Sequence, residues 1–214
     1  MRIVALTESW PAGDAAVLTA GDVAASVRDT WHDASAGAEV TAFSVGDGGP
    51  RSADALAGPR VSVGGAQGVE AAGAVVLCPA GGTARWEPHT LATALLGLAA
   101  EHAEAHPART VVVPVGDASP SGDASDLWLG GLAQMRAGVG ALDLVVAVAS
   151  QRPLLGFHGM SAALRDGRES DEAIGVAAQA QEDRWSAIAR EADAVAGSRS
   201  LLGADRLSDR PGTG

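Results

Sequence analysis

The sequence predicts an α/β protein with a mostly parallel sheet flanked by helices. Three observations predict it. Apolar runs rich in β-branched residues, such as TVVVPV at 110–115 and LDLVVAVA at 142–149, read as strands buried in a parallel sheet. Segments with the apolar spacing of helices lie between such runs. Two polar stretches, SVGDGGPRSADAL at 44–56 and GDASPSGDAS at 116–125, each come at the end of a predicted strand. That carboxyl edge is where such sheets bind ligands.

The elements follow in order. RIVAL at 2–6 is a short buried strand, and 7–13 is a loop carrying Pro11 and Gly13. Ala16, Val17, Val23, Ala24, Val27 and Trp31 recur at helical spacing, which predicts a helix over 14–31 packed on the sheet. EVTAFSV at 39–45 alternates and predicts a second strand; a short helix at 51–57 follows the glycine loop. Strands are expected at 60–63 and 74–78, and an Ala- and Leu-rich helix at 89–105. Beyond the strand at 110–115 come a helix at about 126–136, the strand at 142–149 and a long Ala-rich helix at 171–196. Residues 1–196 are thus one α/β region, with room for two lobes that divide near 60–90, and 197–214 are a mobile tail rich in Gly, Ser, Arg and Asp.

Composition narrows the function. The 214 residues, 47% hydrophobic, can bury a sizeable core. No run of eighteen apolar residues suggests a membrane span, and MRIVAL lacks the features of a signal peptide. The single cysteine, Cys78, excludes an internal disulfide and any multi-cysteine zinc site. These points predict a cytoplasmic protein without a membrane partner. A formal charge of −11 argues against nucleic-acid binding, which needs a basic footprint. The chain contains no lysine, asparagine or tyrosine, a bias expected of a very GC-rich genome. One chemical consequence is that no lysine can serve as nucleophile, Schiff base or phosphate clamp.

Asp47, set among Gly46, Gly48 and Gly49, is the strongest local signal. An acid held there suits a substrate hydroxyl or a phosphate-bound Mg2+, because glycines let the backbone approach a ligand closely. The alternative is a turn whose Asp bonds its own backbone. The loop at 116–125 brings Gly116, Asp117 and Asp123, which could cradle an anion or merely cap the next helix. It is not a Walker A loop, which needs a lysine. Glu8 and Ser9 lie just past the first strand, at the same edge. VSVGGAQG at 61–68 matches GxGxxG only loosely and in the wrong context. Histidines at 32, 89, 102, 106 and 158 show no metal-site pattern, so no metal ligands are assigned. No GxSxG elbow supports a hydrolase triad. The five tryptophans are scattered as packing residues.

Taken together, these segments resemble the bacterial glycerate kinase family. MRIVALTESWPAG is similar to its opening strand and Asp-Ser-Phe-Lys loop, and AEVTAFSVGDGGPRSADAL to its Ala-Asp-Gly-Gly-Glu-Gly-Thr segment. TVVVPVGDASPSGDAS falls where the family has a Gly-Gly-Ser-Ala-Thr-Asn-Asp-Gly-Gly loop. RPLLGFHGMSAALRDGRES resembles its Asn-Pro-Leu-Leu-Gly-Pro-x-Gly stretch and the Phe-Gly-Pro-Gln-Lys-Gly that follows. Asp47 to Gly49, and Pro153 to Gly156 with Gly159, are the most specific matches.

The resemblance implies a glycerate-kinase-like fold and ATP-dependent phosphorylation of D-glycerate or a related small hydroxy acid, with ATP and Mg2+ as cofactors. In that role Asp47 would orient or deprotonate the acceptor hydroxyl or hold Mg2+, with Glu8 beside it. Ser9, Gly48, Gly49, Arg51, Gly116, Asp117, Asp123 and Arg168 would contact substrate or nucleotide. The departures are specific. The family's first-loop acid is Glu8 and its lysine is Pro11; the acid before the Pro-Leu-Leu-Gly stretch is Ala149; the later lysine is matched by Arg168. The second loop lacks the double glycine pairs, and family members continue well beyond Gly214. These losses carry the rival expectation: a non-catalytic homologue that binds a small anion or a protein partner. Apolar sheet surface left uncovered would make a homo-oligomer.

Overall fold

The computed structural model describes residues 2–12, 16–34, 37, 39–82, 85–104, 108–116 and 123–196. The chain divides into two compact units: Met1–Leu129 with Met135–Ala147, and Gly130–Gln134 with Val148 onward.

In the first unit, β1 (Arg2–Thr7) pairs in parallel with β4 (Glu39–Ser44), from Arg2 against Glu39 to Thr7 against Ser44. Between them lie a short antiparallel pair, β2 (Trp10–Ala12) and β3 (Ala16–Leu18), and helix α1 (Ala20–Ala34). The expected helix over 14–31 therefore starts later. The reason is local: Thr19 and Asp22 form a capping box. Asp22 Oδ2 accepts from the Thr19 backbone N–H at 3.0 Å and its hydroxyl at 2.7 Å, while the Asp22 N–H donates to Thr19 Oγ1 at 3.1 Å.

The larger sheet has the order β5 (Arg60–Val63), β6 (Ala66–Ala71), β7 (Ala74–Pro79), β8 (Arg109–Gly116), β9 (Leu142–Val148). β5–β6 and β6–β7 are antiparallel and β7–β8 is parallel. The sheet is mixed rather than mostly parallel, and two turns explain it. Gly64 and Gly65 have φ of 52° and 85°, and Ala72 and Gly73 have 50° and 84°. Two successive positive φ values make the tight two-residue hairpin loop that matches strand twist. The glycines of VSVGGAQG are thus a hairpin turn, and β6 is a strand the sequence reading lacks.

Helix α2 (Pro88–Glu101) covers this sheet, capped by the Glu87 carboxylate, which accepts from His89 N at 3.1 Å and Thr90 N at 2.5 Å. Those bonds hold the Glu87 carboxyl below its ordinary range. Leu91, Leu95 and Leu98 pack with Val75, Leu77, Val111 and Val113 in the main core. Each such side chain contributes roughly 1.5–3 kcal/mol when fully buried. Trp86 is buried and its Nε1 donates to the Pro114 carbonyl at 2.8 Å. The helix expected at 126–136 is split into a 3-10 turn, Ala124–Trp128, and α3 (Leu132–Gly138). Gly130 and Gly131, at φ of 90° and 116°, lie between them in a conformation no α-helix allows.

Two strands expected to be buried are open. In β1, Val4 and Leu6 are 68% and 69% exposed, beside Phe43 of β4 at 52%. A pleated strand turns alternate residues to opposite faces. On the other face Ala42 and Thr7 are buried. β9 ends the order of the five-stranded sheet, and its Val145 and Val146 are 45% and 52% exposed.

The second unit holds α4 (Met160–Arg165) and α5 (Glu172–Ala196), which pack on one another. Asp171 starts α5: its Oδ1 accepts from Ala173 N at 3.0 Å and Ile174 N at 3.2 Å. Residues 197–214, expected to be a mobile tail, lie outside the described residues.

Candidate functional site

Parallel pairing brings the ends of β1 and β4 to one edge. Val45 N donates to Thr7 O at 2.9 Å, extending the ladder past the last paired residues. The buried Thr7 hydroxyl lies 3.0 Å from Ala20 O and 3.2 Å from Phe43 O, so its one proton is shared between two carbonyls. It ties the start of α1 to the same edge. Glu8 is exposed and Ser9 half-buried on leaving β1. The Asp47 loop leaves β4 next to them.

Asp47 does what a turn aspartate does. Its Oδ1 accepts from Gly49 N at 2.8 Å and from Ser52 Oγ at 3.0 Å. Gly48 adopts φ of 82° to close this turn. The side chain is exposed and Oδ2 makes no hydrogen bond among the described residues, so half of the carboxylate is available there. The structure contains the bland alternative and leaves room for the functional one.

Gly116 brings the end of β8 to the Asp47 turn. It ends β8 at φ of 60°, and a Cβ there would stand 2.7 Å from Gly49 Cα and 3.1 Å from Gly49 N. Asp117 lies outside the described residues. Asp123 caps the 3-10 turn: its Oδ1 accepts from Ser125 N at 2.8 Å and Ser125 Oγ at 2.6 Å.

Arg51 is committed within the protein. Its Nε and Nη2 lie 3.0 and 2.9 Å from Asp54 Oδ2, with both side chains under one-fifth exposed, and Arg60 Nη1 reaches Asp54 Oδ1 at 3.4 Å. The pair stiffens the segment after the Asp47 turn. The Cys78 thiol, buried nearby, is pushed above its ordinary range by burial and then by the Asp54 charge.

Arg168 belongs to the second unit, on the turn between α4 and α5, where its N–H donates to Arg165 O at 2.8 Å. That unit contains a cleft of about 810 Å3 which sequence reasoning did not single out. Its lining includes Arg152, His158, Ser161, Arg165 and Asp166, while Arg168 is not part of it. A signal was present: two arginines and a histidine around the matched Pro153–Gly156 run. Glu182 also lines the cleft, and its Oε1 accepts from Gly156 N at 3.0 Å. Glu169, another lining residue, accepts from Gly167 N at 3.0 Å. Backbone N–H groups, its own and that of Gly167, hold the Glu169 carboxyl below its ordinary range.

Among the described residues no cluster of three metal-ligating side chains occurs, and no helix is long and apolar enough to cross a membrane. No family model matches the chain, and no curated protein matches it in sequence. A solved structure matches it in fold: the crystal structure of "putative glycerate kinase 2" from Salmonella typhimurium LT2, at a TM-score of 0.56 and 14% identity. The match covers 99% of this chain and 66% of that one. The fold is therefore glycerate-kinase-like, and the chain spans just under two-thirds of the length of the structure it matches.

Proposed function

We propose that the protein is a phosphotransferase of the glycerate kinase type, moving the terminal phosphoryl group of ATP to a hydroxyl of D-glycerate or a related small hydroxy acid in the cytoplasm. The observation that supports it best is the contact of Gly116 with Gly49, which sets the end of β8 against the turn that carries an exposed, half-free carboxylate. The likeness of the fold to the Salmonella structure supports the class.

In this reading the free oxygen of Asp47 accepts the proton of the attacking hydroxyl, or orients it, as the phosphoryl group arrives. The rigid turn through Gly49 N and Ser52 Oγ fixes that oxygen. Glu8, just past the end of β1, adds a second hard oxygen donor. The donor chemistry of Asp47 and Glu8 fits Mg2+, which would neutralise charge on the phosphates. Gly48, Gly49 and Gly116 offer backbone to the nucleotide or substrate, and Ser9 a hydroxyl.

A second reading is favoured by the state of the cations. Arg51 is tied to Asp54 and no lysine exists in the chain, so the Asp47 loop itself carries no uncommitted cation for a transferring phosphoryl group. On that ground the chain is a non-catalytic binder of a small anion or a protein. The experiment is incubation with Mg-ATP and D-glycerate, followed by 31P NMR, with Asp47→Asn in parallel. Phosphoglycerate that vanishes in the variant supports the kinase. No product, and no thermal shift with ATP or glycerate, overturns it.

A further inference from the structure

The cleft of the second unit holds an unmet hydrogen-bonding group. Ser161 is only 4% exposed, lines the cleft, and its Oγ has no partner among the described residues. Buried hydroxyls are nearly always bonded, so one left open on a cavity wall points to a group that arrives from outside. Around it the charged groups fall into two sets. Glu182 and Glu169 each have one oxygen, Oε1, taken by a backbone N–H of their own unit. The Arg152 and Asp166 side chains make no hydrogen bond or ion pair among the described residues; the Arg165 guanidinium makes no hydrogen bond there either, though its charge helps to hold the Glu169 carboxyl low. A guanidinium is built to hold an oxyanion through two parallel bonds, and a carboxylate accepts from hydroxyls.

We propose that this cleft binds a sugar-sized hydroxylated oxyanion, its carboxylate or phosphate on Arg152 and Arg165 and its hydroxyls on Ser161 Oγ and Asp166. The size follows from the volume, about 810 Å3, in the upper part of the range for small-molecule sites and roomy for a three-carbon acid. The hydroxyls follow from the charge balance. Carboxylates outnumber guanidinium groups on the wall, so a bare anion is repelled and a ligand that donates hydrogen bonds as well is favoured. The site uses no residue of the Asp47 edge and does not depend on the kinase reading.

Calorimetric titration of the full chain tests this with D-gluconate, glucose 6-phosphate, sorbitol and inorganic phosphate. Gluconate or glucose 6-phosphate is expected to bind with Kd below about 1 mM, with sorbitol and phosphate at least roughly 10-fold weaker. Preference between the first two identifies the head group as carboxylate or phosphate. Arg152→Gln with Arg165→Gln weakens binding by about 10-fold or more, since each removes a charge-assisted bond. Ser161→Ala weakens it roughly 3- to 10-fold while Tm holds or rises, because alanine removes a buried hydroxyl that had no partner. Asp47→Asn leaves this binding unchanged, so its failure and that of phosphoryl transfer are read separately. The proposal is overturned if neither sugar ligand binds by about 10 mM, if the double arginine variant binds equally well, or if bare phosphate binds as tightly. A lower Tm in Ser161→Ala, signifying a partner within the protein, overturns it too.

Discussion

Gly116→Ala tests the contact on which the proposed site depends. The substitution acts twice. At φ of 60° the backbone is left-handed, which costs an L-residue about 1–2 kcal/mol. The new methyl would also stand 2.7 Å from Gly49 Cα, a backbone atom that cannot rotate away. Forcing one methyl into such a contact adds about 1–3 kcal/mol. The expected loss is therefore roughly 2–5 kcal/mol, or about 4–20 °C in Tm for a chain of this size. Gly48→Ala is the control, since it has φ of 82° and nothing within 4 Å of its Cβ position. It carries the backbone term alone. Thermal melts followed by circular dichroism should put Gly116→Ala below Gly48→Ala by about 1–3 kcal/mol. Equal melts would mean that β8 does not meet the Asp47 turn, and the geometric basis of the site would be lost.

The other predictions concern charge, burial and surface. Asp47→Asn keeps an oxygen for Gly49 N and Ser52 Oγ, so its melt should match the parent while phosphoryl transfer falls by about 10²–10⁴-fold. Asp47→Ala leaves the buried Gly49 N–H unpaired and should lose about 1–2 kcal/mol in a urea titration. The Cys78 thiol is raised above its ordinary 9.0 by burial, so the unfolded chain loses that proton first. Stability should thus decline as pH rises above about 9 and until the folded thiol ionises, and Cys78→Ala should remove this slope; a parent with a flat profile there contradicts the burial argument. Val4, Leu6 and Phe43 lie on the open face of β1 and β4, and the parent should sediment faster as concentration rises. Leu6→Arg should abolish that, and a parent that stays monomeric at all concentrations excludes association through this face.

Legibility of the sequence followed the range of the forces involved. Strands whose apolar runs were bounded by turn residues, Arg60–Val63 and Ala74–Pro79, lie where periodicity put them. The start of α1 was misplaced because Ala16 and Val17 fit a helical stripe, while the deciding interaction is the polar box of Thr19 and Asp22. β-branched runs report burial and not orientation, so the expected mostly parallel sheet is in fact mixed. Orientation was set by two glycine-bearing turns, Gly64–Gly65 and Ala72–Gly73, and the first pair also mimicked a phosphate loop. Burial of β1 and β9 was over-read for a related reason. An apolar residue states a preference, and only a partner element satisfies it; helix α1 covers a single face of the β1–β4 pair.

The candidate site shows the same division. Asp47 among its glycines was visible as a local pattern, and its turn is local, spanning Asp47 to Ser52. The approach of Gly116 to Gly49 joins residues far apart in sequence, and no spacing rule can express it. The resemblance gives Arg51 a ligand to hold, while the fold pairs its guanidinium with Asp54 three residues on, a partner that the resemblance does not indicate. Ser161 lies in no GxSxG elbow, so the sequence alone attaches no chemistry to it. Its interest arises only when burial removes water and the fold supplies nothing in exchange. A sequence lists the groups that can bond; a fold decides which are left unbonded. It is those remainders, the Asp47 oxygen at one edge and the Ser161 hydroxyl in the cleft, that carry the functional argument for this protein.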